Sequence, residues 1–126
     1  MANKASRPTD AELGILSVLW AHGALTVKQV HEIMGEETGY TTTLKLLQNM
    51  TEKGLVTRNE SQRAHVYQAR HREADAQEQL LNGLLQKAFH GSTSQLVIRA
   101  LTSKRATPED LTEIKKLIER LAREKK

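Results

Sequence analysis

Apolar positions in the first half of the chain recur at helical spacing and are punctuated by capping residues. Thr9 and Glu12 have the S/T-x-x-E spacing of a capping box, followed by Leu13, Leu16, Val18, Leu19 and Trp20, with Gly23 as the stop. This predicts a largely buried helix from Thr9 to His22. Thr26 and Gln29 repeat the capping pair before Val27, Val30, Ile33 and Met34, which share one apolar face, and Gly35 closes that segment. A third helix is expected from about Thr41 to Lys53, with Thr43, Leu46, Leu47 and Met50 on its buried face and Gly54 beyond its end.

The period then changes. Residues 55–60 and 64–70 are richer in β-formers and flank the polar tip Ser61-Gln62-Arg63, which predicts a β-hairpin, although the tip lacks an Asn-Gly or Asp-Gly signal. From Glu73 the pattern is helical only. Leu80, Leu81, Leu84, Leu85, Ala88 and Phe89 make a wide stripe ending at His90-Gly91. A short helix is expected from Ser94 to Thr102, carrying Leu96, Val97, Ala100 and Leu101. A last one begins at Thr107-Pro108-Glu109-Asp110, a cap followed by proline and first-turn acids. Leu111, Ile114, Leu117, Ile118 and Leu121 follow at spacings of three and four.

Three helices and a two-stranded wing form a winged helix-turn-helix. The expected fold class is therefore mainly α with a small β-hairpin wing: a winged helix-turn-helix domain over 1–71, then a helical dimerisation domain over 72–126. The apolar stripes of the second part have no compact core to receive them, and such stripes bury against a copy of themselves.

Composition narrows the function. The chain has 126 residues and no run apolar enough for a membrane span. Its N-terminus lacks the apolar core of a secretory signal. With no cysteine there is no disulfide scaffold, thiolate metal site or cysteine nucleophile, in keeping with a cytoplasmic location. The rings Trp20, Tyr40, Tyr67 and Phe89 are too few and scattered for reading single strands. Five histidines, His22, His31, His65, His71 and His90, include no i, i+4 pair, so no metal or cofactor is expected. There is no phosphate loop or nucleophile turn. The carboxylates are read as lying on solvated faces, leaving an enzyme reading without a site.

The third helix carries the informative chemistry. Thr42, Lys45 and Asn49 share a face opposite Leu46, Leu47 and Met50, flanked by Thr41 and Gln48. Hydroxyls near a helix start suit phosphates, and Lys or Gln can reach base edges. Arg58 on the strand and Arg63 at the tip would extend the footprint along the backbone. The net charge is +4 overall but only +1 over residues 1–70, so DNA affinity must come from local placement. The competing reading is a winged-helix module that binds protein without DNA. The stripe Thr41-Thr42-Lys45-Gln48-Asn49 is polar and free of acid, whereas a protein-docking face carries large apolar anchors. Leu44 alone leans the other way.

These residues resemble the BlaI/MecI/CopY (penicillinase repressor) family. The matching pieces are PTDAELGILSVLW at 8–20, LTVKQVHEIM at 25–34, GYTTTLKLLQNMTEKGLV at 39–56, RAHVYQAR at 63–70, SQLVIRAL at 94–101 and PEDLTEIKKLIERL at 108–121. The resemblance implies a homodimeric repressor that binds a pseudo-palindromic operator in double-stranded DNA. It implies control of a β-lactamase or related resistance or stress gene, and a membrane metallopeptidase sensor pathway as upstream partner, without membrane insertion. It makes the helix after Tyr-Thr-Thr the recognition helix, with Thr41, Thr42, Lys45 and Asn49 in that role and Arg63 at the wing tip. The dimerisation face would comprise Leu80, Leu84, Leu85, Phe89, Leu96, Val97, Leu111, Ile114, Ile118 and Leu121. Thr43 stands where the family prefers Val, Lys45 replaces a frequent Thr, Asn49 a frequent Arg, and Gln62 the usual wing glycine. The terminal cysteine cluster of the copper-sensing members is absent, which sets copper sensing aside. Arg99-Ala100 falls where β-lactam-responsive members carry a cleavable Asn-Phe.

Overall fold

The computed structural model describes residues 7–35, 37–103 and 105–125. Its elements are α1 (Asp10–His22), β1 (Leu25–Thr26), α2 (Val27–Met34), α3 (Tyr40–Lys53), β2 (Val56–Asn59), β3 (Val66–Ala69), α4 (Glu73–Phe89), α5 (Thr93–Leu101) and α6 (Pro108–Glu124). The fold is mostly helical with one small antiparallel sheet, a winged helix followed by a helical region. The chain divides into two compact units, Met1–Leu80 and Leu81–Lys126, and the division falls inside α4.

The capping residues set the helix starts. Thr9 Oγ1 accepts from the Glu12 N–H at 3.2 Å while Glu12 Oε1 accepts from the Thr9 N–H at 2.9 Å. Thr26 with Gln29, and Thr107 with Asp110, close the same reciprocal box on α2 and α6. The short helix α5 starts one residue before the expected Ser94, because the Ser92 hydroxyl accepts from the Gln95 N–H at 3.2 Å. Backbone shape calls for glycine after α3 and after α4. Gly54 ends α3 at φ 81°, and Gly91 turns the chain at φ 82° directly after His90 at φ 53°.

In the first unit, Ile15, Leu16 and Leu19 of α1 meet Val30 of α2, Leu47 and Met50 of α3, and Leu55, Val56 and Tyr67. Val30, Leu47 and Met50 are fully buried, so truncating Leu47 to alanine costs about 2–5 kcal/mol. Ile33, expected on the buried face of α2, is 43% exposed; the face narrows to Val27 and Val30, with Met34 at its margin.

The expected hairpin is present and has a third strand that the sequence pattern did not predict. The sheet order is β1-β3-β2, with Leu25 opposite Tyr67 and Thr26 opposite Val66. Thr26 thus serves two elements, ending β1 and capping α2. The wing turn has a signal of its own. Asn59 Oδ1 accepts from the Ser61 N–H at 2.9 Å, an Asx turn that does not need Asn-Gly.

From α4 onward the balance is different. None of the described residues of α4, α5 or α6 is buried. Among the described residues no helix is long and apolar enough to cross a membrane.

Candidate nucleic-acid interface

The helix α3 is held by its buried side and presents the other. Thr43, Leu47 and Met50 are buried. Thr43 replaces a hydrophobic residue at low cost because its hydroxyl donates to the Gly39 carbonyl at 3.2 Å. At the far end, Lys53 Nζ donates to Glu12 Oε1 at 2.6 Å and to the Arg7 carbonyl at 3.2 Å. Glu12 is 3% exposed, which corrects the expectation that every carboxylate lies on a solvated face. Its charge tolerates burial because the Thr9 N–H and the Lys53 ammonium both reach it.

Thr41, Thr42, Lys45, Gln48 and Asn49 are all exposed on the opposite side of α3. The helix starts at Gly39 without a side-chain cap, so hydroxyls and first-turn N–H groups stand together at its N-terminal end. Arg63 is exposed on the wing. Leu44, the one residue of this face that leans toward protein docking, is half-buried and packs against the core.

Arg58 sits differently. Strand alternation puts it on the same face as Val56, directly opposite Tyr67. Its guanidinium pairs with the Glu60 carboxylate at 2.5 Å. The Tyr67 hydroxyl, and then Glu60, hold its pKa above the ordinary arginine value. Arg58 therefore already has partners within the wing, whereas Arg63 stands at the tip.

Three residues outside the expected set join the surface. An open cleft between the wing and the start of α2 and α3 is lined by Lys28, Tyr40, Arg63 and His65, among others. Lys28 lies on the first turn of α2, opposite buried Val27 and Val30, a placement readable from the period of that helix. The Tyr40 ring rests edge-on against His31, with centroids 5.9 Å apart.

The residues expected to mediate dimerisation fall into two groups. Leu84, Leu111, Ile118 and Leu121 are exposed, by 51%, 46%, 52% and 41%. Leu80, Leu85, Phe89, Leu96, Val97 and Ile114 are half-buried. Leu81, Ile98 and Leu117 are exposed too and extend the apolar surface.

Comparison with known proteins points to one family. The family model described as penicillinase repressor matches residues 8–120. The penicillinase repressor of Bacillus licheniformis is 22% identical over 98% of this chain and 98% of its own length. The transcriptional regulator BlaI of Mycobacterium tuberculosis is 33% identical over 68% of this chain and 62% of its own length. With its winged helix, its exposed α3 face and a family match over most of its length, the chain belongs to the penicillinase repressor family, whose members are transcriptional repressors and not enzymes.

Proposed function

We propose that the protein is a homodimeric repressor that inserts α3 into the major groove of a pseudo-palindromic operator. The observation that carries this reading is the exposed, acid-free face Thr41-Thr42-Lys45-Gln48-Asn49, held outward by a buried core and a part-buried ion pair. Lys45 is placed to reach base edges, the amides Gln48 and Asn49 support it, and the α3 N-terminus with Thr41 and Thr42 takes a phosphate. Arg63 and Lys28, which line one cleft beside α3, contact the backbone there. Arg58 acts within the wing, through Glu60 and Tyr67, and not as a free phosphate contact.

The proposed head covers 1–71 and the proposed dimerisation part 72–126. The unburied leucine and isoleucine surfaces of α4 and α6 are the reason for the second assignment. Two joined heads read two half-sites about one helical turn apart, and joining them raises affinity through effective concentration. The working location is the cytoplasm, where the operator is. The regulated gene is of the penicillinase class that one relative's name carries, and the upstream partner is a membrane metallopeptidase pathway whose protease does not require an Asn-Phe bond.

Selection of bound duplexes from a random pool tests the reading. The expected product is one inverted repeat enriched above background. Uniform recovery of all sequences would overturn base reading by α3, and no recovery would overturn DNA binding.

A further inference from the structure

A second site lies in the first unit, away from the α3 face. Between α1, the start of β2 and the first turns of α4 is a cavity of 290 Å³, walled by Leu16, Trp20, Leu55 and Leu80. We propose that this cavity binds a small aromatic carboxylic acid.

Its walls are held in place before any ligand arrives. Trp20 Nε1 donates to the His71 carbonyl at 2.9 Å, which fixes the indole and satisfies its one polar atom. The ring surface left toward the cavity is apolar and suits stacking. On the other side, the Arg7 carbonyl accepts from Lys53 Nζ at 3.2 Å, so the segment before α1 is anchored to the end of α3.

Size and charge define the ligand. The volume is at the lower edge of the roughly 300–1,000 Å³ typical of ligand pockets, which limits the occupant to about one substituted ring. The polar lining includes Arg7, His71 and Asp75. Asp75 is already paired with Arg72 at 3.2 Å, which offsets its charge. Arg7 and His71 remain as donors, and a guanidinium beside an apolar wall matches a carboxylate.

Occupancy has a consequence that rests on the repressor reading. Leu55 and the Lys53–Arg7 bond connect the cavity wall to the end of α3. Whatever factor the acid applies to operator affinity, the operator applies to the acid's.

The test uses the full chain without DNA, so its failure is separate from failure of the repressor reading. Trp20 is the sole tryptophan and reports directly on the cavity. Its emission is followed while 3-phenylpropionate is added, with 3-phenylpropanol and 3-phenylpropylamine as neutral and cationic counterparts. The acid is expected to give a saturable change, with the alcohol and amine about tenfold weaker, the worth of one charge-assisted hydrogen bond. Arg7→Gln should bring the acid down to the level of the alcohol. Ala76→Leu, which fills the cavity, should abolish the change. Arg7 is exposed, so its variant keeps the test intact if Ala76→Leu does not fold. No saturation up to roughly 10 mM, where even an inefficient ligand of this size binds, would overturn the site. Equal binding of the alcohol would overturn the acid. A Trp20 signal that follows protein concentration alone would place a second copy over the cavity and overturn the proposal.

Discussion

Lys53, the last residue of α3, donates to Glu12 in the first turn of α1 across 41 residues of chain, at 2.6 Å. The pair joins α3, the proposed recognition helix, to α1, which gives Ile15, Leu16 and Leu19 to the core. Glu12 is almost wholly buried and Lys53 is about a quarter exposed, so the charge left behind when Lys53 is removed has little access to water. Lys53→Ala is expected to destabilise the fold by about 2 kcal/mol, below the full cost of breaking a buried pair because Lys53 is partly solvated. Chemical denaturation checks this. A change under about 0.5 kcal/mol, the range of ordinary surface substitutions, would show that the pair does not hold α3.

Lys45→Ala and Arg63→Ala are both expected to weaken operator binding, in different ways. Loss of a base contact costs about 1–3 kcal/mol and relaxes preference at one position, whereas loss of a phosphate contact weakens all sequences alike and lowers the salt slope by about one. Lys45 is assigned to the first class and Arg63 to the second. Titrations on specific and random duplexes at several salt concentrations separate them. Equal losses on both duplexes for Lys45→Ala would contradict its assignment.

Arg58→Ala provides a contrast. Its guanidinium is engaged by Glu60 and Tyr67, so the substitution should leave the salt slope unchanged while Arg63→Ala lowers it. A slope change of about one for Arg58→Ala would mean that it leaves Glu60 to meet a phosphate.

Leu84 and Ile118 are about half exposed on α4 and α6. The double variant Leu84→Asp with Ile118→Asp removes no buried contact within one chain. It should sediment as a folded monomer with unchanged helix content by circular dichroism. A variant that stays dimeric would move the dimer contact elsewhere.

Arg99 and Ala100 lie in α5, both exposed. A protease pocket shaped for a bulky aromatic loses the burial of that ring here, worth up to a few kcal/mol, and cutting within α5 needs local opening. After a β-lactam challenge of the host, the chain is expected to keep its full mass. A fragment ending at Arg99 would contradict this.

Much of the fold was legible because local chemistry specified it. The caps Thr9, Thr26 and Thr107 and the stops Gly23, Gly35 and Gly54 act within a few residues of themselves, and they bounded α1, α2, the end of α3 and the start of α6. What escaped depends on distant partners. A strand of two residues such as β1 has no period to read, and it exists because β3 lies beside it. The burial of Glu12 depends on Lys53, and the engagement of Arg58 on Tyr67 and Glu60. On the candidate surface, the α3 face was readable from its spacing. Tyr40 and His65 joined it only once the wing was placed against α2 and α3, while Lys28 was open to the same helical argument.

Two heads, each with α3 in a major groove, are proposed to act together on one operator. This is tested most directly by titrating the full chain on the selected inverted repeat and on the same duplex with one half-site scrambled. Two chains per intact duplex are expected, with a loss of at least about a hundredfold on the scrambled one, the scale set by effective concentration. Equal affinity for both duplexes, with one chain bound to each, would contradict it.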